Sequence, residues 1–200
     1  MLGKTHMAVG IAATLTITKP QTIPEIILAA GTGAVGALIS DIDIETSESH
    51  KNANKITLLA VASLCMVCFL DFYHNAGIIR QILTSKNLLR VTLGALVFIA
   101  TCTFGKEQPH RSFMHSFLAL GILSFAVGMI TPVLVPYFAV GFLSHLARDI
   151  LNKKKVRLFF PLKGGFCLGF FHAQGFVNSA LFVVGCVVSI VETAVLGFFR

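Results

Sequence analysis

Long apolar runs separated by short polar stretches make up most of the chain. They show neither the alternation typical of strands nor a heptad repeat, and most are long enough for a helix to cross a bilayer. The first run is short for that purpose and ends at Lys19-Pro20. The second carries Gly31, Gly33 and Gly36, small residues that let helices approach closely in lipid. We predict seven helical runs, at 7–18, 23–40, 56–72, 88–104, 112–130, 137–151 and 176–199.

The composition indicates a membrane protein. Hydrophobic residues make up 55% and charged residues 12% of the chain, whereas soluble domains carry roughly 25% charged residues. The mean hydropathy is +0.81. We therefore predict an all-α, polytopic transmembrane helix bundle of about six to seven apolar helices, with residues 1–200 forming a single integral membrane domain. Within it, the polar motifs occupy residues 3–161, and 176–199 form a C-terminal transmembrane helix.

Basic residues are divided unevenly between the two predicted faces of this bundle. If each run crosses once, eleven of the 16 Lys and Arg residues lie on one face, beside the polar segments near 6, 41–55, 105–111 and 148–163. The positive-inside rule then predicts that this face is cytoplasmic. Topology and anionic lipid headgroups account for the net charge of +7, so we expect no nucleic-acid partner.

Histidine and aspartate residues lie at the ends of the apolar runs, on this same face. Ionisable groups at membrane depth are costly and are functional candidates by default. Asp41 and Asp43 follow the second run, and alternate side chains of an extended or turning backbone can both reach one centre. His145 and Asp149 are four residues apart, which predicts that they share one helix face.

His110 and His115 flank the predicted start of the fifth run. Since they are five residues apart, they do not share a helix face, and His110 must fold back from the preceding turn. Arg111 offers a fork of donors suited to phosphate or carboxylate. His6, near the start of the first run, is the weakest candidate of the set.

Imidazole and carboxylate groups together suit a divalent metal. Zinc fits best, and manganese, iron and magnesium are alternatives. The candidates outnumber the ligands of one tetrahedral ion, so either two ions or one ion with a base and supporting groups fits the set. We predict Asp43, His110 and Arg111 as catalytic residues. The predicted metal ligands are His6, Asp41, Asp43, His115, His145 and Asp149.

Four segments carry a resemblance to a known family. They are 3–6 (GKTH), 38–43 (LISDID), 110–116 (HRSFMHS) and 141–149 (GFLSHLARD). In this order they resemble the YdjM-like family of bacterial inner-membrane, metal-dependent hydrolases of the LexA-regulated type. The motifs of that family read approximately GH, LxPDIDH, HRxxTHS and GYxSHxxxD. The resemblance extends from His6 to about Pro161 and implies a multi-pass protein of the bacterial inner membrane.

The chain departs from the family pattern at three places. Ser40 replaces the proline before the first aspartate, and Ile44 replaces the histidine that often follows the second. Lysines occupy 153–155, where the family usually has a turn containing Thr, Pro and Gly. The missing histidine can remove one ligand or supporting donor, and the lysines favour an anionic headgroup.

These observations predict a membrane-embedded metal-dependent hydrolase that acts on a lipid or lipid-linked phosphoester through a metal-activated water. The alternative is a divalent-metal or proton transporter or channel that uses the same His/Asp cluster. A transporter would need ligands at the bilayer midplane and on both sides of it, whereas these lie at helix ends on one face. A network that only holds helices together is a third alternative.

Overall fold

The computed structural model describes residues 3–43, 80, 85–170 and 175–198. Within them, 3-10 helices turn the chain at Ser40–Asp43, Phe113–His115 and Pro132–Leu134. The described part contains no β-strand, and Val156 and Phe166 form an isolated antiparallel bridge. This confirms the all-α prediction. The α-helices are α1 (Gly3–Thr18), α2 (Ile23–Ile39), α3 (Ser85–Lys106), α4 (Phe117–Ile130), α5 (Val135–Ile150) and α6 (Phe176–Phe198).

These helices correspond to six of the seven predicted runs, and the remaining run, 56–72, lies outside the described residues. The fifth run starts later than predicted, because α4 begins at Phe117 rather than at residue 112. Ser116 has an extended backbone, and its side chain accepts a hydrogen bond from the Ala119 amide at 3.2 Å. This N-cap separates α4 from the 3-10 turn that carries His115.

Four described helical segments are long and apolar enough to cross a membrane: Ile23–Asp43, Asn87–Lys106, Pro132–Ile150 and Phe176–Gly197. Large apolar side chains such as Ile99, Phe125 and Ile190 are exposed on the outer surface of the helices. Exposed apolar residues on helices of this length are expected where lipid is the solvent.

Glycines allow α2 and α5 to pack backbone against backbone. A Cβ at Gly141 would collide with the backbone of Gly33, and a Cβ at Gly36 would collide with the carbonyl of Phe138. Gly33 also faces Thr14 of α1, whereas Gly31 faces open space. The close approach expected for the second run therefore occurs at Gly33 and Gly36 but not at Gly31. This close packing of α2 against α1 and α5 brings the start of α1 and the ends of α2 and α5 together.

Candidate metal centre

Separate segments bring all the predicted site residues together at one end of the helices. The start of α1 contributes His6, the 3-10 helix after α2 contributes two aspartates, and the turn and 3-10 helix before α4 contribute two histidines and Arg111. The last turns of α5 contribute His145 and Asp149. Burying so many ionisable groups is costly unless they pair with one another or bind a cation. The members that are at most 1% exposed are His6, Asp43, His115, His145 and Asp149.

Asp41 and Asp43 contact different nitrogens of the His115 ring. The Asp41 Oδ1 atom lies 3.6 Å from His115 Nε2, and the Asp43 Oδ2 atom lies 3.5 Å from His115 Nδ1. A 3-10 helix has three residues per turn, so side chains two residues apart point in different directions. The 3-10 turn therefore directs the two carboxylates to different edges of the His115 ring. Asp41 forms a group with the spacing of metal ligands together with His115 and His145, and Asp43 forms another with His110 and His115.

Four ligand atoms lie close to one another: the Nε2 atoms of His115 and His145, Asp41 Oδ1 and Asp149 Oδ2. The two nitrogens are 3.3 Å apart. Asp149 Oδ2 lies 3.3 Å from His115 Nε2 and 3.9 Å from His145 Nε2. Asp41 Oδ1 lies 3.5 Å from His145 Nε2. Ligands about 2.0–2.2 Å from a tetrahedral ion lie about 3.3–3.6 Å from one another. Asp41, His115 and His145 therefore form a group with the spacing of metal ligands, and Asp149 Oδ2 lies close to both histidines. We call these four residues the tetrahedral set.

The hydrogen bond of His145 leaves its Nε2 atom ready to bind a metal. His145 Nδ1 lies 2.6 Å from the carbonyl oxygen of Ala37. Because a carbonyl only accepts hydrogen bonds, Nδ1 carries the proton and Nε2 keeps its lone pair. Partners such as the Ala37 carbonyl fix the tautomer and orientation of metal-binding histidines. Asp43 Oδ2 lies 3.5 Å from the corresponding Nδ1 atom of His115, which makes no hydrogen bond within the described residues.

The carboxylates make the centre attractive to a positive charge. Burial lowers the pKa of His115, but the neighbouring carboxylates of Asp149, Asp41 and Asp43 outweigh burial and raise this pKa well above its usual value. The same carboxylates that favour a proton on His115 also favour a metal ion at that position. The donor types, their spacing and their charge therefore all fit a divalent cation.

His6 belongs to the cluster, although it was the weakest candidate from the sequence. Its ring stacks on that of His145, with 3.9 Å between the ring centroids and 23° between the ring planes. His6 Nε2 lies 3.8 Å from Asp149 Oδ1, an oxygen that accepts no hydrogen bond from the described residues. His6, His145 and Asp149 thus form a second group with the spacing of metal ligands.

His110 and Asp43 form a pair at the exposed edge of the centre. His110 Nδ1 lies 2.8 Å from Asp43 Oδ1, and the His110 side chain is 37% exposed. As predicted, His110 folds back from the turn, and its ring meets that of His115 edge-on with 4.9 Å between centroids. Asp43 therefore connects an imidazole in contact with solvent to an imidazole in the buried cluster.

Arg111 lies within the wall of the site and is buried. Its backbone adopts a left-handed conformation, with φ of 66°, and its amide donates to Asp43 Oδ2 at 3.3 Å. One guanidinium nitrogen, Nη2, lies 3.3 Å from Asp149 Oδ2, and the other, Nη1, donates to the Lys154 carbonyl at 2.8 Å. The buried Nε has no hydrogen-bond partner in the described part of the chain. The Arg111 guanidinium therefore holds Asp149 through Nη2 and keeps its Nε donor available.

Sequence reasoning missed several polar groups of the site. The carbonyls of Ala37 and Lys154 accept hydrogen bonds from His145 and Arg111. Every residue has a backbone carbonyl, so the sequence does not show which carbonyls take part in a site. Thr5 and Ser40 are fully buried with hydroxyls that make no hydrogen bond among the described residues. Their only signal was their position next to His6 and Asp41.

Comparison with known proteins identifies the family of the chain. The family model described as YdjM inner membrane protein matches residues 1–199. No curated protein and no solved structure matches the chain. The match covers nearly the whole chain, and the four resembling segments meet in one buried cluster beside helices that are apolar enough to cross a membrane. The chain is therefore a membrane protein that belongs to the YdjM inner membrane protein family.

Proposed function

We propose that the protein is a multi-pass, metal-dependent hydrolase that acts on a phosphoester of a lipid or lipid-linked substrate at the cytoplasmic membrane face. The observation that carries this proposal is the tetrahedral set of His115, His145, Asp41 and Asp149 next to the exposed His110–Asp43 pair. A metal site beside a group that can transfer protons is the combination that metal-assisted hydrolysis requires.

Each member of the tetrahedral set has a role in holding the ion. His115 and His145 would bind it through Nε2, and Asp41 and Asp149 through one oxygen each. Two nitrogen and two oxygen ligands at this spacing suit zinc best, with manganese, iron or magnesium as alternatives. When bound, the ion supplies Lewis-acid activation of water and of the substrate oxygen. His6 and the second oxygen of Asp149 are the groups that would help hold a second ion.

The His110–Asp43 pair is suited to move the proton of the attacking water. Asp43 accepts the hydrogen bond from His110 Nδ1, which leaves His110 Nε2 as a proton acceptor. The exposure of the imidazole lets it pass that proton to solvent. A histidine oriented by a buried carboxylate is a recurrent arrangement for general bases.

Arg111 is suited to balance negative charge on both the protein and the substrate. Its guanidinium stabilises the ionised Asp149 beside the metal ligands. The remaining Nε donor is buried, and a buried donor without a partner costs free energy until an acceptor binds. A phosphoryl oxygen is such an acceptor, and it gains most as negative charge develops in the transition state.

The location of the exposed groups supports an amphiphilic substrate. Asp41 and His110 are the more accessible members of the cluster, with side chains 16% and 37% exposed. Asp41 lies at the end of the candidate span Ile23–Asp43. A scissile bond at headgroup level would thus reach the centre while acyl chains stay in the bilayer. Transport would instead require polar groups distributed through the membrane.

The direct test is turnover by the detergent-purified, metal-loaded protein. A panel of phospholipids and polyprenyl phosphates in micelles should release phosphate or headgroup. Release should disappear in His110→Gln, which keeps the metal ligands, and in Asp149→Asn, which does not. Gly31→Ala, a change facing open space, is the matched control. Metal flux into proteoliposomes that collapses in Asp149→Asn, with no turnover on the panel, would contradict the hydrolase proposal and favour a transporter.

A further inference from the structure

Residues 151–170, which directly follow α5 in the connection to α6, carry charge of one sign only. They contain five basic residues and no Asp or Glu. Three consecutive lysines and Lys163 are exposed. We call this segment the basic loop. Its charge is complementary to a partner that presents several negative groups on one surface. The basic residues are Lys153, Lys154, Lys155, Arg157 and Lys163.

The basic loop also exposes large apolar side chains. Phe159, Leu162, Phe166, Leu168 and Phe170 are each between 53% and 70% exposed. Apolar side chains grouped in this way on a connecting segment are costly in water and indicate an interaction surface. Lysines interleaved with phenylalanine and leucine are typical of elements that lie in the membrane interface.

Ring contacts attach the basic loop to the end of an apolar helix. The ring of Phe159 packs on that of Phe117, the first residue of α4, with 5.5 Å between centroids. Phe166 also packs against the ring of Phe159, with 5.7 Å between centroids. At its other end the loop follows the candidate span Pro132–Ile150 directly. The basic loop therefore lies where the candidate spans end, on the side of the metal centre.

Hydrogen bonds made by backbone groups of the basic loop join it to Arg111 in the wall of the metal centre. The Lys154 carbonyl accepts from Arg111 Nη1 at 2.8 Å, and the Arg157 amide donates to the Arg111 carbonyl at 3.0 Å. Val156 and Phe166 exchange two backbone hydrogen bonds of 2.9 Å, which hold the loop in a hairpin-like shape. The loop is thus a defined surface beside the site.

We propose that the basic loop docks on the anionic phospholipid headgroups of the leaflet next to the metal centre. Its phenylalanine and leucine side chains insert among the upper acyl chains, and its lysines bind the headgroup phosphates. The combination of exposed lysines with exposed apolar side chains favours a lipid surface as the partner. An acidic protein or a nucleic acid would neutralise the lysines but leave Leu162 and Phe166 in water. This proposal does not depend on hydrolase activity.

Tryptophan fluorescence can test this docking because the chain contains no tryptophan. Leu162→Trp introduces a probe in the basic loop. Ile190→Trp, at a position of α6 with the same exposure (69% against 70%), is the control for a helix surface facing lipid. Each full-length variant is reconstituted in vesicles of phosphatidylcholine, with or without phosphatidylglycerol, containing lipids brominated on the acyl chains. Bromine quenches a tryptophan only at close range.

We expect brominated lipid to quench Leu162→Trp about twofold more strongly when phosphatidylglycerol is present, and salt to reduce the difference. Ile190→Trp should be quenched equally in both mixtures. Adding Lys154→Gln/Lys155→Gln should remove the effect of phosphatidylglycerol, whereas the matched pair Lys19→Gln/Arg90→Gln should not. The proposal is overturned if Leu162→Trp is quenched by aqueous iodide but not by brominated lipid. The proposal is also overturned if the quenching of Leu162→Trp changes neither with phosphatidylglycerol nor with the lysine substitutions.

Discussion

The Nε2 atoms of His115 and His145 lie 3.3 Å apart, although the two residues come from different helical segments. Two lone pairs repel at this distance, so a proton or a cation must lie between the rings. His145 has committed its own proton to the Ala37 carbonyl. Asp41 and Asp149 each contact both rings, which favours a positive charge between them. A divalent ion at this position would bind both Nε2 atoms and be attracted by the two carboxylates.

Asp43 should behave as a support of the metal centre rather than as a ligand in the tetrahedral set. Because it contacts His115 Nδ1 and not Nε2, Asp43→Asn should weaken zinc affinity only about 10–100-fold. Asp41→Asn should weaken it much more, since it removes a ligand. Competition with a fluorescent zinc chelator measures both affinities. Equal losses in the two variants would instead make Asp43 a ligand, as the sequence pattern predicts.

Arg111→Gln should separate charge stabilisation from metal binding. Removing the guanidinium takes away the donor proposed for the substrate anion, which typically lowers kcat about 10²–10³-fold. Because Asp149 loses a neighbouring positive charge, metal affinity should fall as well, but less than in Asp149→Asn. Zinc titration and turnover on the same preparation give both quantities. Complete loss of metal in Arg111→Gln would mean that this residue serves only to hold Asp149.

Glycine packing between helices should be required for the stability of the site. Gly33→Ala places a Cβ against Thr14, and overpacking of this kind costs about 1–3 kcal/mol. Gly31→Ala is the matched change on the same helix, and it should be neutral or stabilise the fold by up to about 1 kcal/mol, since alanine favours helix and the site is open. Thermal unfolding in detergent compares the two. Equal unfolding temperatures would show that α1 and α2 do not need this close approach.

The parts of the site that could be predicted from the sequence are those that depend on local geometry. Apolar runs locate the described helices because a spanning helix must be long and apolar throughout. His145 and Asp149 could be placed on one face because they lie four residues apart within a single helix. His110 could be placed in a folded-back turn because no helix would align it with His115.

The parts that could not be predicted depend on packing between distant segments. Whether Asp41 and Asp43 follow α2 as an extended segment or as a 3-10 turn is decided by the contacts around them, and the two conformations direct Asp43 differently. Arg111 is held by the backbone of Lys154, which the chain reaches only after α4 and α5. Short polar motifs in the sequence do not show which distant segments they contact.

The distribution of basic residues predicts the orientation of the protein in the membrane. Lys154 lies beside the metal centre, and Lys19 lies at the opposite end of α1 from His6. By the positive-inside rule, a membrane-impermeant maleimide should label Lys154→Cys only in inverted vesicles and Lys19→Cys in intact spheroplasts, if α1 crosses the membrane. Single variants in a cysteine-free background provide the measurement. Labelling of Lys154→Cys from outside intact cells would contradict a cytoplasmic site.

The metal content of the purified protein tests the central claim most directly. The protein and its variants are purified in detergent without added metal, checked by gel filtration for an unchanged elution volume, and analysed by mass spectrometry of the elements. His110→Gln, which lies outside the tetrahedral set, is the control and should retain at least about one zinc or other transition-metal ion per chain. His145→Gln and Asp149→Asn should each elute as folded protein and lose that ion. Retention of the full metal content in both variants would contradict the account and leave the cluster as a hydrogen-bonded network that only holds the helices together.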